Sequence, residues 1–456
     1  MTGGGATGGG GGTGGVSAAG GGTAGSGGSA IGGGTAGGGG TAGGGGAAPG
    51  GGSAIGGGAG GVNLLALRSH NTALVLDLMR TAGAEGISRL ELAERTGLTP
   101  QAVSKITARL RGEGLAAEAG RRASTGGKPR TVLRLVPGAG HALGVHLDRD
   151  ELRAVLVDLD GTVVAERRAP LDLGAGADTV LAEVAGVARD LTAEGLGAPG
   201  ADGGPGRPAA EGARSPGPGL AAVPTLLGLG VALPGPLDHV RGVLHRVTGF
   251  PEWDGYPLRD ALARRLGVPV VVDKDTNAAA LGLAVGGGTG GAGGTGGGGG
   301  SGSFAYLHLG TGLGAGLVFG GGVHRGVRTG AGEFGHQVVQ LDGPPCTCGA
   351  RGCIEALCLA AVARGDLAEA SRVLGTGAAN LAGLLDIDLV LLGGRTVAAA
   401  PDAFVHGVGA VLDARARREG GHVGAVPVRL APGGTRAVAE GAAQLLLAPL
   451  FGRGGA

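Results

Sequence analysis

The sequence predicts an α/β protein in which a small helical head with a helix-turn-helix precedes a two-lobed body, behind a glycine-rich tail. Three observations carry that expectation. The first 61 residues hold 35 of the 111 glycines, and no charge precedes Arg68. Two short helical segments joined at Gly97 follow within residues 88–114. From about residue 140 onward, apolar runs of strand length alternate with longer helical patterns, as in strands covered by helices.

Residues 1–61 are expected to be a disordered tail, since glycine is costly to order and offers no side chain to bury. Collagen is excluded because glycine does not recur at every third position, and a coiled-coil rod because heptads are not sustained. Stretches around 195–219 and 286–302, rich in Gly, Pro and Ala, read as surface-loop insertions. What remains is long enough for two or three domains. The N-terminus lacks a basic segment followed by an apolar one, so no secretory signal is expected. The uncharged stretch 219–237 contains Pro224, Pro234 and Pro236, which suits a strand and loop rather than a membrane span. The expected location is therefore the cytoplasm, with no membrane partner.

The head is expected over residues 62–138. Residues 64–80 read as a helix. A second begins after Ser88, a cap, and ends at Gly97; Thr99-Pro100 starts a third with a cap and a first-turn proline, running to about Gly112. Ala102, Val103, Ile106 and Leu110 share one face of that third helix; Gln101, Ser104, Lys105 and Ala108 share the other. Two short helices with a glycine turn can present the second to a DNA major groove. Thr99, Gln101, Ser104 and Lys105 would then reach phosphates or base edges. Arg121, Arg122, Lys128 and Arg130 sit on a loop between short extended stretches, as in a wing. Residues 61–135 carry 12 Lys/Arg against 6 Asp/Glu, a balance of +6 in a chain whose total is +1. That asymmetry suggests nucleic acid at one end. The blander alternative is a three-helix interaction domain with a solvated basic loop.

The body is expected over residues 139–453. Residues 140–147 and 153–160 read as a hairpin pair, and further strands lie at 226–233, 269–273, 304–310 and 388–394. Helices are expected at 178–193, 256–266, 276–284, 356–374 and 433–448.

Three of the four cysteines lie within eight residues, which suggests a metal rather than disulfides. His336, Cys346, Cys348 and Cys353 offer three thiolates and one imidazole, a closed tetrahedral shell that suits structural Zn²⁺. Glycines 343, 349 and 352 would let that loop turn tightly. The alternative is three free thiols in a loop. Cys358 reads as a small core residue. Residues 309–321 (L-G-T-G-L-G-A-G-L-V-F-G-G) follow a strand and could face a phosphate with backbone N–H groups. Asp275, at a strand end before a helix, could serve as a base on a hydroxyl, or be an ordinary helix cap.

Together these motifs resemble the ROK family, which contains sugar kinases and sugar-responsive transcriptional repressors. The resemblance covers about residues 62–450. It rests most specifically on G-E-F-G-H through C-T-C-G-A-R-G-C-I-E, and on L-P-G-P-L-D, D-T-N-A-A-A-L-G and L-G-T-G-L-G-A-G in that family's order. The resemblance implies a two-lobed actin/hexokinase-like body following a winged helix-turn-helix, with sugar in the interlobe cleft. It implies that His336, Cys346, Cys348 and Cys353 hold zinc. Glu333, His336 and Glu355 would contact sugar hydroxyls, with one imidazole nitrogen on zinc and the other toward sugar. Asp275 matches the kinases' catalytic base, and Gly235 the loop at the sugar's edge. Two departures stand out. Family kinases open this domain with a D-x-G-x-T type phosphate loop, whereas residues 147–152 read L-D-R-D-E-L and place Asp148, Asp150 and Glu151 where ATP phosphates would lie. Lys274 stands where the kinases usually have asparagine.

The expected function is a DNA-binding transcriptional regulator of the repressor type, without enzymatic activity and with Asp275 a vestigial base. Its partners would be operator DNA, a small-molecule sugar effector and further copies of itself in a homodimer or homotetramer. The competing expectations are an ATP-dependent sugar kinase with an appended DNA-binding head, and a zinc-stabilised protein-interaction module.

Overall fold

The computed structural model describes residues 70–122, 130–197, 225–247, 249–286, 302–420 and 424–453. The expected tail, Lys128 and most of both glycine-rich insertions lie outside the described residues.

The head comprises α1 (His70–Ala82), β1 (Ile87–Ser88), α2 (Arg89–Thr96), α3 (Pro100–Gly112), β2 (Ala116–Arg122) and β3 (Arg130–Leu135). Helix α2 starts where the sequence places it, because Ser88 and Glu91 form a reciprocal capping box, and Gly97 ends it in a left-handed conformation. Thr99 caps α3 by accepting the Ala102 N–H, with Pro100 in the first turn. The three strands form an antiparallel sheet in the order β1-β3-β2.

The body is built from β4 (His141–Leu147), β5 (Glu151–Asp158), β6 (Val163–Pro170), α4 (Ala177–Leu196), β7 (Leu226–Leu233), β8 (Leu237–Asp238), β9 (Val243–Leu244), α5 (Leu258–Leu266), β10 (Val270–Lys274) and α6 (Asp275–Val285). It continues with β11 (Phe304–Leu309), β12 (Leu313–Phe319), β13 (Gly322–Val323), α7 (Ile354–Ala363), α8 (Leu367–Leu385), β14 (Leu389–Gly393), α9 (Arg395–Ala399), α10 (Pro401–Arg418), β15 (Val428–Leu430) and α11 (Ala437–Leu447). The strands form two five-stranded sheets, ordered β10-β7-β4-β5-β6 and β13-β12-β11-β14-β15. Numbered within its own lobe, each sheet has the order 3-2-1-4-5 from one edge. In each, the first three strands run antiparallel, and the fourth and fifth are parallel to the first or to one another. The two lobes therefore repeat one topology. Each repeat ends in a helix, α6 or α11, and these two pack together: a Cβ on Gly441 would meet the Ala278 carbonyl oxygen, so only glycine permits that approach.

Three expectations change here. Residues 356–374 form parts of two helices, α7 and α8, because Gly365 turns left-handed and Asp366 restarts the chain by accepting the Glu369 N–H. The glycine-rich stretch 309–321 is mostly strand: Gly310–Gly312 is the turn, and Gly314 and Gly316 lie in β12. A Cβ on Gly316 would strike the Thr276 carbonyl oxygen, so that glycine admits α6 rather than a phosphate. Strand β6 and helix α10 carry no signal the sequence reading used.

The head is not separated from the body. Leu76, Met79, Leu115 and Leu135 of the head share one apolar cluster with Val155, Leu159, Leu227, Leu447 and Phe451 of the body. Arg453 pairs with Asp77 at 2.8 Å, and the Arg80 guanidinium lies 4.7 Å from the Phe451 ring centroid. Among the described residues, no helix is long and apolar enough to cross a membrane.

Candidate functional site

One cleft between the two sheets gathers Gly235, Asp275, Glu333, His336 and Glu355, the five residues expected to meet a ligand. They arrive from four separate places in the fold. Gly235 lies in the turn between β7 and β8. Asp275 is the first residue of α6, directly after β10. Glu333 and His336 flank a short 3₁₀ turn, and Glu355 sits in the first turn of α7.

Asp275 is half-buried in the cleft wall, and burial pushes its carboxyl up to about 7, against the Thr276 N–H that donates to Oδ1 at 2.6 Å. Lys274 is buried beside it. Its ammonium donates to the Ala331 carbonyl at 2.6 Å and to Glu333 Oε1 at 3.0 Å. Glu333 is thus held by the opposite lobe. A second bond of the same kind joins Arg325 to Asp273 at 2.8 Å, with Asp273 also accepting from Asn277. Glu355 accepts the Leu313 N–H at 2.8 Å, which leaves its other oxygen for the cleft.

Behind this acidic wall lies the cysteine loop. The ligand atoms of His336, Cys346, Cys348 and Cys353 all lie within 4.8 Å of one another. His336 Nδ1 is 3.7 Å from Cys346 Sγ, and Cys348 Sγ is 3.7 Å from Cys353 Sγ. Tetrahedral zinc with Zn–S bonds of about 2.3 Å sets its sulfurs about 3.8 Å apart. The four side chains fit such an ion, with Nδ1 on the metal side and His336 still lining the cleft. The loop turns as tightly as its glycines suggest: a Cβ on Gly352 would collide with the Gln340 carbonyl oxygen. Since Cys353 immediately precedes α7, an ion held here also fixes Glu355.

The side facing the β4–β5 hairpin differs from expectation. Of the expected carboxylates, only Asp148 lines the cleft, with Arg149 beside it. Asp150 pairs outward with Arg395 at 2.9 Å; Glu151 pairs with Arg153 at 2.9 Å and with Arg168. Asp148 Oδ1 accepts from the Thr311 hydroxyl at 2.6 Å and from the Arg149 N–H at 2.8 Å. In the opposite turn, the Gly310 N–H donates to Gly312 O at 3.0 Å, so that amide is spent within the protein.

Several cleft residues escaped the sequence reading, among them Arg149, Thr311 and His308. His308 in β11 stands at the inner end of the cleft, backed by the buried His146 of β4 and within hydrogen-bond distance of the Tyr306 hydroxyl at 2.9 Å. A histidine at the second-last position of a buried strand, in both lobes, was the available signal.

In the head, Thr99, Gln101, Ser104 and Lys105 are all exposed, as is Arg130, while Val103, Thr107 and Leu110 are buried. Thr99 is engaged in the α3 cap. Arg121 and Arg122 lie in β2.

The ROK family pattern matches residues 220–364, which contain the cleft residues from Gly235 through Glu355 and the cysteine loop. Residues 220–364 are thus a ROK-type segment of the chain. The xylose repressor of Bacillus spizizenii is 27% identical over 269 residues, which are 59% of this chain and 61% of that repressor. The glucokinase of Thermotoga maritima is 39% identical over 147 residues, 31% of this chain and 42% of the kinase. The chain thus has relatives among sugar repressors and sugar kinases, and it spans about three fifths of the repressor's length. A solved ROK family transcriptional regulator, a homolog of the Escherichia coli Mlc protein, superposes with a TM-score of 0.62 at 20% identity, covering 85% of this chain and 97% of that one. That likeness shows the two-lobed fold.

Proposed function

We propose that this protein is a DNA-binding transcriptional regulator of the repressor type whose cleft responds to a sugar. The observation that carries the reading is the shared core of head and body. A basic helix-turn-helix head presents an exposed polar face, Gln101, Ser104 and Lys105, and is welded through Leu76, Leu115 and Phe451 to the lobe bearing the cleft. A ligand that favours one relation of the lobes can then change the relation of two heads in an oligomer, and with it operator affinity. The head reads as a winged helix-turn-helix over residues 62–138 and the effector-binding body as 139–453. Arg121, Arg122, Lys128 and Arg130 would contact the DNA backbone. The names of the repressor relatives support a pentose or hexose effector.

In the cleft, Asp275, Glu333 and Glu355 offer oxygens to ligand hydroxyls, His336 offers its second ring nitrogen, and Gly235 forms the edge. Zn²⁺ on His336, Cys346, Cys348 and Cys353 would be structural: it closes a full shell, so its chemistry is to fold the loop rather than to activate water.

The kinase reading is favoured by the 39% identity to a glucokinase and by the retained Asp275. Against it, the hairpin at 148–150 has no glycine, the Thr311 hydroxyl bonds Asp148 across the gap, and the Gly310 amide faces Gly312. Phosphoryl transfer relies on positioning and on donors around the phosphates, and these donors are committed elsewhere. The charge of Asp150 and Glu151 is not part of this argument, since both are paired away from the cleft.

The test is selection of duplexes from a randomised DNA library by the full chain, repeated with Gln101→Ala/Lys105→Ala. Enrichment of a sequence by the parent and its loss in the variant is the expected result. Equal retention by both would refute the DNA assignment.

A further inference from the structure

We propose that the cleft takes a monosaccharide bearing an anionic substituent, a phosphate or a carboxylate, with Arg149 as its anchor. The proposal rests on the reading of the cleft as a sugar site.

Among the described residues, the lysine and arginines around the cleft are each paired with a carboxylate, with one exception. Lys274 is held by Glu333, Arg325 by Asp273, Arg395 by Asp150, and Arg153 and Arg168 by Glu151. Arg149 also lines the cleft, and among the described residues no carboxylate pairs with its guanidinium. Asp148 is its neighbour, yet that carboxylate accepts from the Thr311 hydroxyl and from the Arg149 backbone N–H instead.

The guanidinium is presented rather than loose. The Arg149 carbonyl accepts the Leu173 N–H at 3.1 Å, and the Leu173 carbonyl accepts the Trp253 indole at 3.0 Å, so the backbone beneath it is anchored in the lobe. The Phe250 ring centroid lies 6.0 Å from Arg149 Cζ, at the outer reach of a cation–π contact. On its inner side Nη2 faces Gly312: the point where a Cβ would stand on that glycine is 3.8 Å from Arg149 Nη2 and 3.1 Å from Glu355 Oε2. Glycine at 312 therefore keeps a space open between the Glu355 carboxylate, whose Oε2 accepts the Leu313 N–H and whose Oε1 is left for a hydroxyl, and the Arg149 guanidinium. A ring whose hydroxyls reach Glu355 brings a neighbouring substituent to Arg149. Five N–H donors in a planar fork match the paired oxygens of a carboxylate or phosphate, and such charge-assisted bonds are stronger than neutral ones. The Thr311 hydroxyl lines the same side.

The test is calorimetric titration of the full, zinc-loaded chain with glucose, mannose, galactose and N-acetylglucosamine, with the 6-phosphate of each, and with glucuronate and galacturonate. The same series is run on Arg149→Gln and Arg149→Lys. The tightest ligand is expected to be anionic and to exceed its neutral parent at least tenfold. The phosphate and uronate arms decide which anion it is. Arg149→Gln should remove that advantage, so that the anionic ligand binds no better than its neutral parent, and Arg149→Lys should restore part of it. A neutral sugar binding tightest, or an anionic preference unchanged in Arg149→Gln, overturns the proposal and leaves the sugar reading standing. Failure of every sugar, neutral and charged, sinks the sugar reading and this proposal together.

Discussion

His146 and His308 meet edge to face at the inner end of the cleft, with ring centroids 6.0 Å apart. Each is the penultimate residue of the first strand of its sheet, β4 in one lobe and β11 in the other. The repeated topology brings these two equivalent positions together where the lobes join. Burial pushes His146 down to about 3, helped by the neighbouring His308 and opposed by Asp148; burial lowers His308 as well. Both rings are therefore neutral at pH 7, and the end of the cleft is polar without being cationic.

That pair gives the fold an acid limit. An unfolded histidine titrates near 6.5, so as pH falls below that value the unfolded chain takes up protons the native pair refuses, and stability is lost toward about pH 3. His146→Gln should flatten the decline of Tm between pH 6.5 and 4. Identical declines in variant and parent would refute the assignment.

Asp275 has the opposite sign. Its native pKa of about 7 lies above the ordinary carboxylate value, so the native state binds an extra proton from about pH 4 to 7, and stability falls as pH rises through 7. Asp275→Asn should raise Tm at pH 8 and change it little at pH 4.5. Each kcal/mol recovered should appear as about 1–2 °C in a folded unit of this size. DNA binding without ligand should be unaffected.

For the metal, purified protein should carry one zinc per chain, and Cys348→Ser should lose it. Because Cys353 leads directly into α7, the loss should appear as lower stability and as faster amide exchange over residues 340–356. Metal analysis that finds no zinc in protein prepared without chelator would contradict the site.

In the head, Arg130→Ala should weaken binding to all DNA sequences alike and lower the salt slope by about one counterion. Lys105→Ala should relax sequence preference as well. These point variants are the right tools, because cutting the chain at residue 139 would strip the cover from Leu159, Leu227 and Phe451 and confuse lost folding with lost contact.

The non-kinase reading predicts no ATP-dependent turnover with glucose, mannose, fructose or N-acetylated hexosamines. Loss of phosphate positioning plausibly costs several powers of ten in rate, at about 1.4 kcal/mol each. Sugar-dependent ADP release above background, abolished by Asp275→Asn, would decide for the enzyme.

What the sequence by itself determined is local. The Ser88–Glu91 capping box, the Thr99-Pro100 start of α3, the left-handed Gly97 and the four metal-site side chains of 336–353 all depend on partners within a few residues or one short loop. For these, residue type and spacing carry most of the energetics. Tertiary structure decided where charges point and which glycines matter. Asp150 turns from the cleft because Arg395, 245 residues later, is there to receive it. Gly316 is spent on the approach of α6, and Phe451, near the far end of the chain, closes the core beneath Leu76 and Leu115 of the head. A carboxylate or a glycine is legible as a type in sequence. Its role depends on what lies within a few ångströms, and distant segments of the chain supply those neighbours only once both lobes have formed.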